Sequence, residues 1–348
     1  MLKIINYEID SSQNTPIEKD INNGFCLRFI LGQNNQQNKK MINIERVKKD
    51  FRCVKALDGV NFRIPQNAIF GFLGPNGAGK TTLIRILTGI ITPDSGQVLI
   101  NEQPINKLSI KRIGYLPEER GLYKKMKVGE QAIYLAVLKG LTHQEAEKRI
   151  KEWFEKLEIT DWWNKRIDTL SKGMQQKIQF VISVIHQPDL LILDEPFSGL
   201  DPINREVLGK EILELNKSGM TIILSTHDMN SVEQFCDQVV LIDKGKILLS
   251  GKVNEIKQQR KSFLYEFCFK QHEELFKDEC LKYKSDILLI QRNDNFICAR
   301  VKFHNESEAE SVLFNILRKV GIISYKEILP SMHDIFVESI TSNNDINK

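Results

Sequence analysis

No stretch of this 348-residue sequence is apolar for the roughly 20 consecutive residues needed to cross a bilayer. Its opening residues also lack the continuous apolar core of a signal peptide. Cysteine is sparse: Cys26, Cys53, Cys236, Cys268, Cys280 and Cys298 form no CxxC pair, and their spacing points to neither a zinc site nor a disulfide framework. A reducing, cytoplasmic setting is therefore expected. An excess of one sign of charge is small as well. A formal net charge of +4 neither demands nor excludes nucleic acid, whose binding proteins carry a denser basic stripe, and the lysines read as a solvated surface. No Asn-Lys-x-Asp motif is present to read guanine. What remains is ordinary globular material, 41% hydrophobic and 27% charged, with a length that suggests about two domains.

Residues 1–40 stand apart. Their polar tract Gly32-Gln33-Asn34-Asn35-Gln36-Gln37-Asn38 buries little surface, so a flexible extension is expected, dispensable or the product of a misassigned start. From Met41 to about Gln258 strands alternate with helices. Ile42 to Val47 and Val60, Phe62 and Ile64 read as strands; Ile69 to Leu73 is a short apolar run; Lys80 to Thr88 reads as a helix ended by Gly89. Thr142 and Glu145 form a capping box before a helix whose Ala146, Ile150, Trp153, Phe154 and Leu157 share a core face. Leu190 to Leu193, Thr221 to Ser225 and Val239 to Ile242 are apolar throughout, which suits a parallel sheet covered on both sides. Past residue 260 the pattern changes. Phe263–Phe269, a helical stretch, a hairpin from Asp286 to Phe303 turning at Asn293-Asp294-Asn295, helical Ser307–Val320 and Ile322–Leu329 follow the ferredoxin-like β-α-β-β-α-β order.

The chemistry concentrates in three places. Gly74, Pro75, Asn76, Gly77, Ala78, Gly79, Lys80 and Thr81, followed by Thr82, match G-x-x-x-x-G-K-[ST] between a predicted strand and a predicted helix. Glycines let successive backbone N–H groups converge on one phosphate, and the helix N-terminus adds its positive end. Lys80 then reaches the β- and γ-phosphates, and the Thr81 hydroxyl can ligate Mg²⁺. The strand Leu190–Leu193 ends in Asp194 and Glu195. Alone, that ending equally describes a capped strand. Beside a phosphate loop, at the end of a parallel strand where open sheets bind ligands, Asp194 is expected to hold Mg²⁺ through its water shell and Glu195 to polarise the attacking water. His227 follows another apolar strand at the mouth of the same sheet and is expected to touch the γ-phosphate.

With these elements in place the chain resembles the ABC ATP-binding subunits. Leu170-Ser171-Lys172-Gly173-Met174-Gln175-Gln176 looks like the ABC signature, Ser198-Gly199-Leu200-Asp201 its D-loop, and Phe51 stands where the adenine-stacking aromatic stands. The resemblance covers residues 41 to about 258, and Ser331-Met332-His333-Asp334-Ile335-Phe336 looks like the tail of the sodium-export-type ATPase subfamily. Lys172 and Met174 replace the usual glycine and glutamine of the signature, and Glu118 replaces the glutamine expected after Tyr115-Leu116-Pro117. A carboxylate at Glu118 can still face Mg²⁺ but adds negative charge near ATP. The resemblance implies an α/β P-loop NTPase of the ABC type (residues 41–258) with a helical subdomain at about 115–185, plus a small ferredoxin-like α+β accessory domain at 260–345.

It further implies ATP and Mg²⁺ as ligands, with Ser171 and Gly173 of one subunit facing Lys80 of another across a dimer of identical or paralogous copies. A separate transmembrane permease is the expected partner, at the cytoplasmic face of the membrane, with no direct contact to nucleic acid. Export of an unidentified substrate is the leading expectation. A soluble ABC ATPase acting on nucleic acid or ribosomes is the alternative, and a slowly turning ATP switch a third, against which Glu195 argues.

Overall fold

The computed structural model describes residues 42–346 apart from Cys53, Arg120, Asp294 and Arg318. The extension expected over residues 1–40 lies outside them. Strands β1 (Ile42–Phe51) and β2 (Val54–Ile64) form an antiparallel hairpin, and β3 (Ile69–Leu73) runs into the phosphate loop and helix α1 (Lys80–Leu87). Next come β4 (Ser95–Ile100), β5 (Gln103–Pro104), α2 (Lys107–Lys111) and β6 (Ile113–Leu116). Helices α3 (Val128–Leu138), α4 (His143–Lys156) and α5 (Lys172–Val184) precede β7 (Leu190–Asp194). The nucleotide domain ends with α6 (Pro202–Lys217), β8 (Thr221–Ser225), α7 (Met229–Phe235), β9 (Gln238–Asp243), β10 (Lys246–Lys252) and α8 (Val253–Gln259).

Six of these strands form one sheet in the order β10-β9-β3-β8-β7-β6, parallel except for β10, and β2-β1-β4-β5 form a second, antiparallel sheet. The continuous apolar runs serve two cores at once. Along β3, Ile69 and Leu73 face one core and Phe70 and Phe72 the other; along β7, Leu191 and Leu193 alternate in the same way with Leu190 and Ile192. Period-two alternation with both faces covered is what makes such strands apolar at every position. A third core, from Val128 to Ile185, belongs to the helical region, where the Thr142–Glu145 capping box forms and Ala146, Ile150, Phe154 and Leu157 are buried. Trp153 is half-buried against Phe180, its ring centroid 5.9 Å away. Helix α5 joins two cores, giving Ile178 and Val181 to the helical one and Phe180 and Val184 to the sheet.

Beyond it lie β11 (Leu264–Phe269), α9 (Glu273–Lys282), β12 (Asp286–Arg292), β13 (Ile297–Lys302), α10 (Glu306–Ile316) and β14 (Ile322–Ile328). Their antiparallel sheet has the order β12-β13-β11-β14, the ferredoxin-like arrangement, around a core of its own that includes Phe267, Phe269, Phe276 and Val301. The segment after residue 260 serves more than one core: in its last helix, α11 (Met332–Ile346), Met332 and Ile335 are buried in the core of the nucleotide domain. Polar contacts fasten it there, the Met332 N–H donating to Glu233 Oε1 at 2.6 Å and Arg260 pairing with Glu338 at 2.9 Å. An apolar stripe after a sheet domain says nothing about which core it will enter. The spacing of the cysteines misled. Cys268 and Cys298, 30 positions apart, stand opposite each other on β11 and β13 and are joined as a disulfide, a pairing that only the sheet register creates. Cys236 and Cys280 are buried free thiols, and Cys26 and Cys53 lie outside the described residues.

Because Ile335 is buried within the nucleotide domain, Ile335→Ala is expected to cost about 2–5 kcal/mol, the usual toll of a large-to-small core change. A lowered denaturation midpoint of the full chain, followed by a probe in the nucleotide domain, checks this.

Candidate functional site

The site forms where parallel strands end together. Phe72 of β3 is in register with Ser225 of β8, Ser225 with Asp194 of β7, and Leu193 of β7 with Leu116 of β6. The segments leaving these ends carry Gly74–Lys80, Thr226–His227, Glu195 and Glu118, so one edge of the sheet collects most of the residues singled out in the sequence. Backbone approach demands glycine at two loop positions. A Cβ on Gly74, at φ 147°, would meet the Ile242 carbonyl oxygen at 2.1 Å, and one on Gly79, at φ 111°, would meet the Ala56 carbonyl oxygen at 2.5 Å. The Ala78 N–H donates to Pro75 O at 3.2 Å and the Gly245 N–H to Ala78 O at 2.9 Å, which ties the loop to the turn after β9.

Lys80 is buried, and its Nζ donates to the carbonyls of Gly74 at 2.6 Å and Pro75 at 3.0 Å. Burial lowers its pKa from the usual lysine value, against the opposing pull of Glu195, then Asp194, then Glu118. Those three carboxylates are therefore the electrostatic neighbours of the lysine. Asp194 is 3% exposed, and its Oδ2 is buried with no hydrogen-bond partner among the described residues. Burial raises its pKa, the charges of Glu118 and Glu195 add to the shift, and the Ser225 hydroxyl and Lys80 oppose it. An orphaned buried carboxylate oxygen within the field of exposed Glu118 is the environment a divalent cation would relieve, and exposed Thr81 follows Lys80 on α1. Among the described residues no three His, Cys, Asp or Glu side chains cluster to hold a metal by themselves. The donors therefore fit an ion that brings phosphate oxygens with it, as Mg²⁺ does, and not a protein-caged one.

Glu195 adopts φ 49°, in the left-handed region, and its N–H donates to Ser225 O at 2.9 Å. Its Oε1 accepts from the His227 backbone N–H at 2.9 Å and lies 2.6 Å from the ring Nδ1; Oε2 accepts from Thr226 Oγ1 at 3.2 Å. A proton on Nδ1 donates to the carboxylate, and a second on Nε2 of the exposed ring would give His227 a donor for an anion. Phe51, 45% exposed at the end of β1, pairs with Val54, two residues before the Ala56 carbonyl that abuts Gly79, and Lys49 Nζ lies 5.5 Å from its ring centroid. Pro75 is half-buried, Asn76 and Gly77 are exposed, and Thr82 is half-buried on α1.

Ser171, Gly173 and Asp201 are brought to one another's neighbourhood and not to the phosphate loop. Ser171 is exposed and caps α5, its Oγ accepting from the Met174 N–H at 3.2 Å. A Cβ on Gly173 would meet Gly199 O at 3.2 Å. Asp201 caps α6 through Asn204 N–H at 3.0 Å, a bond that holds its carboxyl below the usual range. Two residues were missed in the sequence. Gln176 Nε2 donates to Pro196 O at 3.1 Å and ties α5 to the loop after Glu195, and Thr226 supports the Glu195 carboxylate. A buried glutamine on the signature helix was the available signal for the first; Thr226 had none beyond its place next to His227.

Comparison with known proteins follows the same lines. The profile of the ABC transporter family matches residues 57–198, and that of the DrrA1-3-like ATP-binding protein C-terminal domain matches residues 251–340. The uncharacterized ABC transporter ATP-binding protein YhaQ of Bacillus subtilis is 42% identical over 302 residues, 86% of this chain and 98% of that protein. The chain belongs to the ABC transporter ATP-binding protein family. As a member it is an ATPase that binds ATP and ADP. The linearmycin resistance ATP-binding protein LnrL of the same organism is 35% identical over 219 residues, covering 62% of this chain and 70% of LnrL. A solved ATP-binding subunit of an ABC transporter superposes with a TM-score of 0.59 at 28% identity, over 63% of this chain and 92% of that one.

Asp194→Asn removes a buried acid, one oxygen of which has no partner among the described residues, from beside Glu118 and Glu195. In the absence of nucleotide this ABC protein is expected to melt about 1–3 °C higher with the substitution, while the stabilisation conferred by ATP with Mg²⁺ is lost. Thermal melts with and without the ligand check both halves.

Proposed function

We propose that this chain hydrolyses ATP to power export of a substrate through a membrane permease carried on another chain. The observation that carries the reading is the meeting of Lys80, Asp194, Glu195, Glu118 and His227 at one sheet edge. Lys80 exchanges the Gly74 and Pro75 carbonyls for the β- and γ-phosphates, while the backbone N–H groups of Gly77 through Thr81 hold the phosphate oxygens. Phe51 stacks on adenine. Mg²⁺ bound with the nucleotide would neutralise phosphate charge, held by Thr81 and Asp194 with Glu118 facing it. Glu195 orients a water and accepts its proton as the water oxygen bonds to the γ-phosphorus and the bond to ADP breaks. His227 Nε2 meets the γ-phosphate.

Two further features support the transport reading. Ser171, exposed at the N-terminus of α5, is available to the nucleotide of a second copy, where the helix dipole favours the γ-phosphate. No helix among the described residues is long and apolar enough to cross a membrane, and in this reading the translocation path belongs to a partner chain, with this subunit at the cytoplasmic face. Export is favoured over action on ribosomes or nucleic acid by the resistance role in the name of LnrL.

Glu195→Gln is expected to bind ATP and lose roughly 10²–10⁴ in turnover, the range of a general base; wild-type turnover would remove Glu195 from that role. Affinity capture of the full chain from detergent-solubilised membranes is expected to recover a multispan protein. Recovery of ribosomes without one would overturn the transport reading.

A further inference from the structure

A ring of contacts closes behind the Glu195–His227 pair. Asp228 follows His227 and caps α7, its Oδ1 accepting from the Asn230 N–H at 3.1 Å. Its Oδ2 accepts from the guanidinium of Arg205 and from the Ser231 hydroxyl, the latter at 2.9 Å. The Asp228 N–H donates to Thr226 Oγ1 at 3.1 Å, the hydroxyl that supports Glu195 Oε2. Arg205 comes from α6, one turn past the Asp201 cap, to whose carbonyl its own N–H donates at 2.9 Å. Its guanidinium also reaches Ser231 and lies 5.2 Å from the ring centroid of Phe197, two residues after Glu195. Phe197 in turn stacks on Phe235 of α7, centroids 5.2 Å apart.

We propose that Arg205 is a positioning residue for ATP hydrolysis, clamping the His227–Asp228 turn and the loop after Glu195 into one unit. The inference rests on the roles given above to Glu195 and His227. The guanidinium joins two segments, the Glu195–Phe197 loop through the Phe197 ring and the β8–α7 turn through the Asp228 carboxylate, and the backbone of Arg205 anchors both to the start of α6. Nothing else among the contacts described joins all three. Glu195 holds a left-handed backbone and takes three hydrogen bonds from residues 226 and 227, so a shift of that turn moves the base itself. Arg205 also stands directly behind Asp201, so any displacement of that cap is passed to the Glu195–His227 pair through the same guanidinium.

The side chains of Arg205 and Asp228 are 34% and 29% exposed. At that partial exposure the ion pair itself adds only modestly to global stability, so the loss expected on removing it is mainly in turnover. In the full-length chain, Arg205→Ala is expected to lower kcat roughly 10–100-fold, the scale of a misplacement transmitted from outside the reacting atoms, with KM for ATP and the melting temperature near wild type. Asp228→Asn should lose as much, and the double variant no more than either single, since the two act as one unit. Arg205→Lys keeps a charge for Asp228 but not the planar face on Phe197, so it should restore only part of the rate.

Wild-type kcat in Arg205→Ala, or single losses that multiply in the double variant, would overturn the proposal. If Arg205→Ala does not fold, Asp228→Asn decides, and wild-type kcat there is equally fatal. Glu195→Gln measured alongside separates the two levels. An active Glu195→Gln removes the catalytic reading and this inference with it, whereas an inactive Glu195→Gln beside a fully active Arg205→Ala removes only the clamp.

Discussion

Lys80 lies buried at the meeting point of four strand ends, its ammonium turned onto two loop carbonyls while Asp194, Glu195 and Glu118 press in from adjoining segments. A buried cation needs anions or carbonyls around it, and buried anions need a cation. Here three carboxylates share one lysine, and one oxygen of Asp194 is left with nothing. The imbalance is informative. Without nucleotide the edge of the sheet holds a surplus of negative charge and an orphaned acceptor, and both are relieved by a metal-bound triphosphate that brings cation and phosphates together. The rest of the nucleotide domain serves this arrangement: two apolar cores fix the strand ends in register, and two glycines let the loop pass within touching distance of Ile242 and Ala56.

Much of that arrangement was legible before any coordinates. The strands Ile69–Leu73, Leu190–Leu193 and Thr221–Ser225 announce themselves as uninterrupted apolar runs because a strand covered on both faces needs apolar residues at every position. The phosphate loop is legible because its function restricts backbone shape, and backbone shape restricts sequence. The capping box at Thr142 and Glu145 is local chemistry and forms as read. Other features left no such trace. The Cys268–Cys298 pairing depends on register between strands separated by a helix and a third strand. Nothing in the residues of α11 says which core they enter, and Met332 and Ile335 enter that of the nucleotide domain. Arg205 reads as an ordinary surface arginine until α6 and α7 are placed side by side. Local rules write themselves into sequence; tertiary meetings do not.

The C-terminal region thus has two mechanical parts. The ferredoxin-like sheet stands on its own core, and α11 returns to lie on α7 and α8, where Glu233 accepts from Met332 and also pairs with Lys257 at 2.7 Å. Helix α7 is capped by Asp228, directly after His227, so the helix that α11 grips is the one whose cap adjoins the site histidine. The substitutions that depart from the family pattern fall on the same machinery. Lys172 and Met174 sit in the first turn of α5, and Glu118 adds a third carboxylate beside Lys80.

The account stands or falls on whether the strand-end cluster is where the nucleotide's phosphates and metal reside. A crystal structure of the full chain with a non-hydrolysable ATP analogue and Mn²⁺, located by its anomalous signal, measures this directly. The account predicts Lys80 Nζ within about 3 Å of a β- or γ-phosphate oxygen, no longer bonded to Gly74 and Pro75, with the metal between Thr81 and Asp194. A nucleotide bound elsewhere, or a metal distant from both residues, would contradict it.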